Sequence, residues 1–273
     1  MCQDRELLRL LPRVLRARDF YLYLEGGKRL TDLWRDGGKA VLGHKPPKVL
    51  RELKNAAERG LFCPLPHPME RRFIKALEKF FPGRSFRLFL NESSLYRALE
   101  EAGYSGPFQD PAFPPYDPGK GKVSLWRPFL EKVTDTAPET VIDTIFIPVL
   151  PWSLGPAVLV LDKSVETSFP PGELIPPVLL APAVRAVHDL AALMKAPVCR
   201  PYRKIEKALG GQQSGLWRRR GIYLSTGAEE YAALFMKFLE GGFLLPPSRV
   251  EPAILPFTMS DGEESKLAQL LVN

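Results

Sequence analysis

Tyr21–Pro47 reads YLYLEGGKRLTDLWRDGGKAVLGHKPP, and the reading of this stretch decides the fold. Two short apolar runs, Phe20–Leu24 and Leu30–Trp34, flank Gly26-Gly27. Glycine reaches the positive φ that a tight two-residue turn needs, and the flanks are strand formers, so the spacing predicts a β-hairpin. A second glycine-rich turn follows, Gly37-Gly38-Lys39-Ala40-Val41-Leu42-Gly43-His44. It leads through Pro46-Pro47 into Lys48–Arg59, whose apolar spacing is helical and stops at Gly60.

Working outward, residues 4–17 read as an amphipathic helix, and Met69–Phe81 as another, ended by Pro82-Gly83. Ser85–Leu90 reads as a strand, followed by the polar turn Asn91-Glu92-Ser93-Ser94 and a helix over Leu95–Ala102. Strand, polar turn and helix in that order aim backbone N–H groups at one point, where an anion can sit. Residues 104–125 read as irregular, 126–133 as a helix, and Val141–Val149 and Ala157–Leu161 as buried strands. Helices are expected over Leu179–Lys195, Lys204–Leu209 and Glu229–Glu240. Gly221–Ser225, Phe243–Leu245 and Ala253–Phe257 read as strands, and Asp261 as the cap of a last helix. The alternation of strands and helices points to α/β or α+β layers.

Composition bounds the function. The 273 residues are 45% apolar and 25% charged, ordinary for a globular chain, with no apolar run approaching the roughly 20 residues of a membrane span. The N-terminus is too charged for a signal peptide, which places the protein in the cytoplasm. Cys2, Cys63 and Cys199 are few and far apart, and His44, His67 and His188 do not pair at ligand spacing, so no metal site is expected. The net charge is +7, with basic clusters at Arg13–Arg18, Arg71-Arg72 and Arg218-Arg219-Arg220. No nucleic-acid-binding module accompanies them and acids interleave them, so they read as solvated faces. The 28 prolines, about twice average usage, gather in 107–118, 148–156 and 170–182 as rigid connections.

Three ordered segments resemble the class III aminotransferases, the group that includes the glutamate-1-semialdehyde aminomutases. Residues 19–60 are similar to that family's N-terminal segment, which ends in an L-G-H turn. Phe81–Gly103, FPGRSFRLFLNESSLYRALEEAG, matches at Asn91, Ser94 and the Ala98-Leu99 spacing, with Ser93 where the family has glycine and Leu95 where it has glutamate. The C-terminal part, Tyr231–Leu270, fits at Gly242, Pro247, Ser248 and Glu251. The resemblance implies an α/β fold of the pyridoxal-phosphate-dependent transferase type, fold type I. It also implies a reduced large-domain sheet, a small α+β lobe and a homodimer. On it, residues 1–80 pack with the C-terminal lobe 201–273, and 81–200 form the reduced cofactor-type domain.

That chemistry needs three things: a lysine to form a Schiff base, a carboxylate beside the pyridine nitrogen, and a helix N-terminus for the phosphate. The resemblance points to Ser93 and Ser94 for the phosphate, and residue by residue they also read as simple helix caps. Asp162, in Leu159-Val160-Leu161-Asp162, is the nearest string to the family's strand-end carboxylate, or else a surface aspartate. Lys163 follows it directly, in the wrong place, and Lys195 ends a helix where the dipole favours any cation. Lys207, in Lys207-Ala208-Leu209-Gly210-Gly211, resembles the family's G-K-A-L-G-G-G but shares its helical face with solvated Arg203 and Lys204. On another register the segment carrying both aspartate and lysine is deleted, and the prolines at 148–182 bridge the gap. His44 reads as part of the turn, and Phe62–His67 as packing where the family lines its substrate entrance.

Two function classes follow. One is a non-catalytic descendant, a dimeric binding or scaffold protein that has lost the Schiff-base lysine. The other is an active aminotransferase or aminomutase using Lys207 on a small amine or amino acid.

Overall fold

The computed structural model describes residues 6–105, 108–113, 123–130, 144–195, 202–211 and 215–272. Its first element departs from the helix expected over 4–17. Glu6–Leu10 is a single 3-10 turn, and Val14–Arg18 is a strand, β1. Pro12 has no amide to donate and obstructs the carbonyl four residues back, which disfavours a helix continued through it. The chain pairs instead with β2 (Tyr21–Leu24), which in turn pairs with β3 (Arg29–Asp32), both antiparallel. The β2–β3 connection is one residue longer than a tight turn. Tyr23 faces Arg29 and Leu24 N donates to Lys28 O, leaving Glu25-Gly26-Gly27 as the loop. Gly26 and Gly27 take φ of 82° and 80°, which is what selects glycine there.

Helices α1 (Pro47–Glu58) and α2 (Pro68–Leu77) each open on a proline, whose missing N–H costs nothing in a first turn. His67 caps α2, its Nδ1 accepting from Met69 N at 3.1 Å. Strand β4 (Ser85–Phe89) leads to α3 (Glu92–Glu101). Next come β5 (Val123–Trp126), β6 (Ile145–Pro148) and β7 (Ala157–Leu161). The helix expected at 126–133 is absent as far as residue 130, because Trp126 closes β5; residues 131–143 lie outside the described set. Helix α4 (Pro177–Lys195) starts before Pro182, which is buried within it.

The remaining elements are α5 (Arg203–Gly210), β8 (Trp217–Arg220), β9 (Tyr223–Thr226), α6 (Tyr231–Glu240), β10 (Phe243–Leu244), β11 (Ala253–Ile254) and α7 (Asp261–Val272). Asp261 does not cap α7. Ser260 does, in a capping box where Ser260 N donates to Glu263 Oε2 at 2.9 Å and Glu263 N to Ser260 Oγ at 3.3 Å.

Two compact units divide the chain. One joins Met1–Lys45 and Phe129–Glu131 to Ala196–Asn273. Its sheet runs β1-β2-β3-β10, and a second runs β11-β9-β8. Thr31 and Asp32 pair in parallel with Phe243 and Leu244, so the N-terminal hairpin is completed by the C-terminal segment. The other unit holds Pro46–Pro128 and Lys132–Lys195. It therefore holds α1 and α2, which the resemblance groups within residues 1–80 beside the C-terminal lobe: both helices pack on α4.

The second unit is three-layered. Its sheet, in the order β4-β7-β6-β5, carries Leu88, Phe146, Val158 and Val160 toward Phe73 and Leu77 of α2 and Leu180, Ala183 and Val187 of α4. Phe89, Val123, Ile145 and Leu159 face Leu95, Ala98 and Leu99 of α3 on the opposite side. Successive strand residues point to opposite faces, so both faces of these apolar strands are buried, as their sequences suggest. The apolar character of α4 follows from the same burial. It is the one helix among the described residues long and apolar enough to cross a membrane, with a mean hydropathy of 1.4, and its Leu180, Ala183 and Val187 are buried in the core.

Candidate functional site

Strands β4, β5 and β6 share one direction and β7 opposes them. In an open α/β sheet, ligands sit beyond the carboxyl ends of the parallel strands. Three connections reach that end: Leu90–Ser94 after β4, Arg127-Pro128 after β5, and Val149–Pro156 between β6 and β7.

After β4, Asn91 caps α3, its Oδ1 accepting from Ser94 N at 2.9 Å. Ser93 is exposed and Ser94 half-buried. Residues 172–173 lie along the outer edge of β4 as a strap. Glu173 N donates to Leu88 O at 2.7 Å, and Leu90 N donates to Glu173 Oε2 at 2.6 Å. A Cβ on Gly172 would lie 2.8 Å from both Leu88 N and Leu88 O, so the strap sits this close only because residue 172 is glycine. Gly172→Ala is expected to lift the strap and cost about 1–3 kcal/mol of stability, read by urea denaturation. A variant as stable as the parent would mean the strap contributes no packing.

The α3 N-terminus is thus furnished with acceptors from the protein itself. Asn91 takes the Ser94 amide, Glu173 the Leu90 amide, and Glu92 adds a carboxylate in the first helical turn. Leu95 is wholly buried against the sheet. After β5, Arg127 is locked to Asp110, with Nε to Oδ1 at 2.8 Å and Nη2 to Oδ2 at 2.7 Å. The β6–β7 connection reads Val149-Leu150-Pro151-Trp152-Ser153-Leu154-Gly155-Pro156 and carries no titratable group. Leu90, Leu154 and Leu174 stand exposed at this end of the sheet.

Asp162 lies at the opposite end. Leu161 pairs with Ser85, the first residue of β4, whereas α3 follows Phe89, the last. About 13 Å of strand separate the two ends. Asp162 turns the chain after β7: its Oδ1 accepts from Ser164 N at 3.0 Å and from Ser164 Oγ at 2.7 Å, and Arg84 lies 3.3 Å from Oδ2. Those hydrogen bonds, and then Arg84, hold its carboxyl below the usual carboxylate range. Lys163 is beside it and exposed. Lys195 ends α4. Lys207 is an exposed residue of α5 in the other unit. The structure therefore does not bring Asp162 to Ser93 and Ser94.

Within the first unit, the sequence pattern did not reveal a second cluster. Asp32, 1% exposed, accepts from Trp34 N at 2.8 Å, from Arg35 N at 2.9 Å and from His44 Nε2 at 2.8 Å. Arg35 is wholly buried, its guanidinium 4.2 Å from the centre of the Phe20 ring, and neither terminal nitrogen finds a hydrogen-bond acceptor. Burial pushes its pKa down to about 10, against the pull of Asp32, Tyr202 and Tyr223. His44 is thus fixed as an anchor of the glycine-rich turn. Asp32-Leu33-Trp34-Arg35, an acid and a base three positions apart around a tryptophan, was the available signal.

No family model matches the chain. An uncharacterized protein of Treponema pallidum is 28% identical over 280 residues, covering 92% of this chain and 91% of that protein. One from Borreliella burgdorferi is 27% identical over 272 residues, covering 98% and 93%. A glutamate-1-semialdehyde 2,1-aminomutase of Thermus thermophilus is 30% identical over 98 residues, 35% of this chain and 23% of that enzyme. Among solved structures, the ornithine aminotransferase of Toxoplasma gondii superposes with a TM-score of 0.69 at 13% identity, covering 100% of this chain and 91% of that one. The acetylornithine aminotransferase of Elizabethkingia anophelis superposes with a TM-score of 0.65 at 12% identity, covering 95% and 92%. The fold is that of the fold-type I, pyridoxal-phosphate-dependent aminotransferases.

Proposed function

We propose that this chain is a non-catalytic, pared-down relative of the class III aminotransferases, a binding or scaffold protein built on their frame. The observation that carries the reading is the make-up of the carboxyl ends of β4, β5 and β6. Among the described residues, none of the three connections there contains a lysine. A side-chain amine is what a pyridoxal aldehyde must condense with, and the turn between β6 and β7 offers only apolar groups and one serine.

The residues present also do not fit pyridoxal phosphate. The α3 N-terminus would have to accept a dianion beside Glu92 and Glu173, with one amide already given to Asn91. The carboxylate nominated for the pyridine nitrogen, Asp162, is a strand's length away and engaged by Ser164 and Arg84. One ring with one phosphate cannot reach both. Homodimer formation and a cytoplasmic location belong to the same reading.

The test is spectroscopic. Purified protein mixed with pyridoxal phosphate and passed through gel filtration is expected to emerge without a visible Schiff-base band. Borohydride treatment is expected to leave no reduced pyridoxyl adduct in its mass spectrum. Lys207→Ala is expected to change neither result. A band that survives gel filtration in the parent and disappears in Lys207→Ala would instead establish the active-enzyme reading.

A further inference from the structure

Two of the outer strands, β4 and β1, end their sheets differently. The outer edge of β4 is covered by the 172–173 strap. Strand β1 is terminal in the sheet β1-β2-β3-β10, and none of its five residues is buried. Val14 is 45% exposed and Leu15 69%. A strand in that position turns half of its backbone N–H and C=O groups away from its neighbour, toward whatever comes to pair with them.

We propose that the free edge of β1 is a docking site for an acidic, extended segment of another protein, added as a fifth strand. The charge pattern argues for that occupant. Arg16 lies opposite Tyr23, which lies opposite Arg29, and Arg18 lies opposite Tyr21. Residues directly opposite one another share a face, so Arg16, Arg18 and Arg29 all stand on one side of the sheet with the two tyrosines. The guanidinium of Arg16 lies 4.1 Å from the Tyr23 ring centre, and that of Arg29 is 4.1 Å from that of Tyr21. Both guanidinium groups are thereby held over the tyrosine rings of this face.

The carboxylates at hand neutralise only part of this. Glu263 accepts from Arg29 at 2.9 Å and from Tyr21 OH at 3.2 Å, and the exposed Asp19 lies 3.4 Å from Arg18. Arg16 has no carboxylate partner among the described residues. Val14 and Ala17, opposite Leu24 and Leu22, stand on the other face, and Leu15 is the extra residue of a β-bulge between Val14 and Arg16. A fifth strand therefore meets arginine at alternate positions on one face and small or apolar side chains between them. Its complement alternates Asp or Glu with apolar residues.

A second copy of this chain does not fit the same edge. Antiparallel self-pairing centred on Arg16 sets Arg16 against Arg16, and like charges directly opposite destabilise a strand pair. A single-stranded nucleic acid matches the charge but offers no ladder of amides and carbonyls for the edge.

The probe is a fluorescein-labelled octapeptide alternating glutamate and valine, followed by fluorescence anisotropy. It is expected to bind, and the matching lysine–valine peptide is not. The double variant Arg16→Glu, Arg18→Glu is expected to weaken binding at least roughly tenfold. Both positions are exposed, and an unchanged melting temperature checks that the variant is folded. N-methylating alternate amides of the peptide discriminates pairing from simple charge attraction. One of the two registers is expected to lose binding and the other to keep it. The proposal fails on any of four outcomes. These are no binding of the acidic peptide, indifference to both N-methyl registers, displacement of the peptide by oligothymidylate, or a dimer in light scattering that Arg16→Glu, Arg18→Glu dissolves.

Discussion

Asp32→Ala is expected to destabilise the protein by about 3–5 kcal/mol, the range for leaving a buried charge without compensation. The loss has two sources. Asp32 Oδ1 satisfies the amides of Trp34 and Arg35, and Oδ2 holds His44, so alanine frees three donors in a region where Asp32 itself is 1% exposed. It also strips the wholly buried Arg35 of its nearest counter-charge. Arg35 is already poorly provided for, since its terminal nitrogens lack acceptors and the Phe20 ring is its main support.

The folded-state pKa of Arg35, about 10, lies below that of a free guanidinium, so the folded state binds that proton less tightly than the unfolded chain. The cost of burying the charge is thus full at neutral pH and shrinks only as the pH climbs above about 10. At pH 7 Asp32→Ala meets it undiminished. Urea unfolding followed by the fluorescence of Trp34 and Trp217 measures the loss. Adding Arg35→Met in the Asp32→Ala background is expected to recover much of it, because an apolar side chain needs no counter-charge. A loss under about 1 kcal/mol in Asp32→Ala would show that the buried guanidinium is balanced elsewhere.

Phe73→Ala is expected to cost about 3–5 kcal/mol, by transfer of a ring out of the core and by the cavity it leaves. Phe73 is wholly buried where α2 meets α4 and the sheet, among Leu88, Phe146, Val158, Leu180 and Val187. Three of those neighbours are strand residues tied into ladders, so the space cannot close by side-chain movement alone. The same substitution tests the assignment of α2. If the helix belonged with residues 1–45, a cavity at Phe73 would leave the sheet around Trp126 and Trp152 undisturbed. On the packing described here, near-ultraviolet circular dichroism of those tryptophans changes together with the unfolding midpoint.

The sequence exposed the hairpin, most helix stops and the buried character of β6 and β7, because these rest on local chemistry: glycine φ, proline amides and apolar runs. It did not reveal β1. Residues 4–17 satisfy a helical period, and only the pairing edge of β2 together with Pro12 decides for a strand. An apolar run ending in aspartate looks the same whichever way the strand runs, and the antiparallel sense of β7 puts Asp162 at the end of the sheet opposite Ser93 and Ser94. Arg35 escaped notice because Asp-Leu-Trp-Arg-Asp-Gly-Gly reads as a solvated turn, while the fold buries its arginine under Phe20. Strand β8, Trp217–Arg220, was hidden in the same way by three consecutive arginines.

The parallel pairing of Thr31 and Asp32 with Phe243 and Leu244 has a consequence for biosynthesis. The hairpin's partner strand is encoded roughly 210 residues downstream, so on a ribosome adding about 5–20 residues per second it waits on the order of 10–40 s before that partner emerges. The intervening unit can mature first, since its elements are contiguous apart from one short excursion. Nascent chains stalled before residue 243 should therefore carry a protease-resistant middle and a clippable leading ribbon. Chaperones that bind unpaired strands would find their substrate at the leading ribbon during that interval.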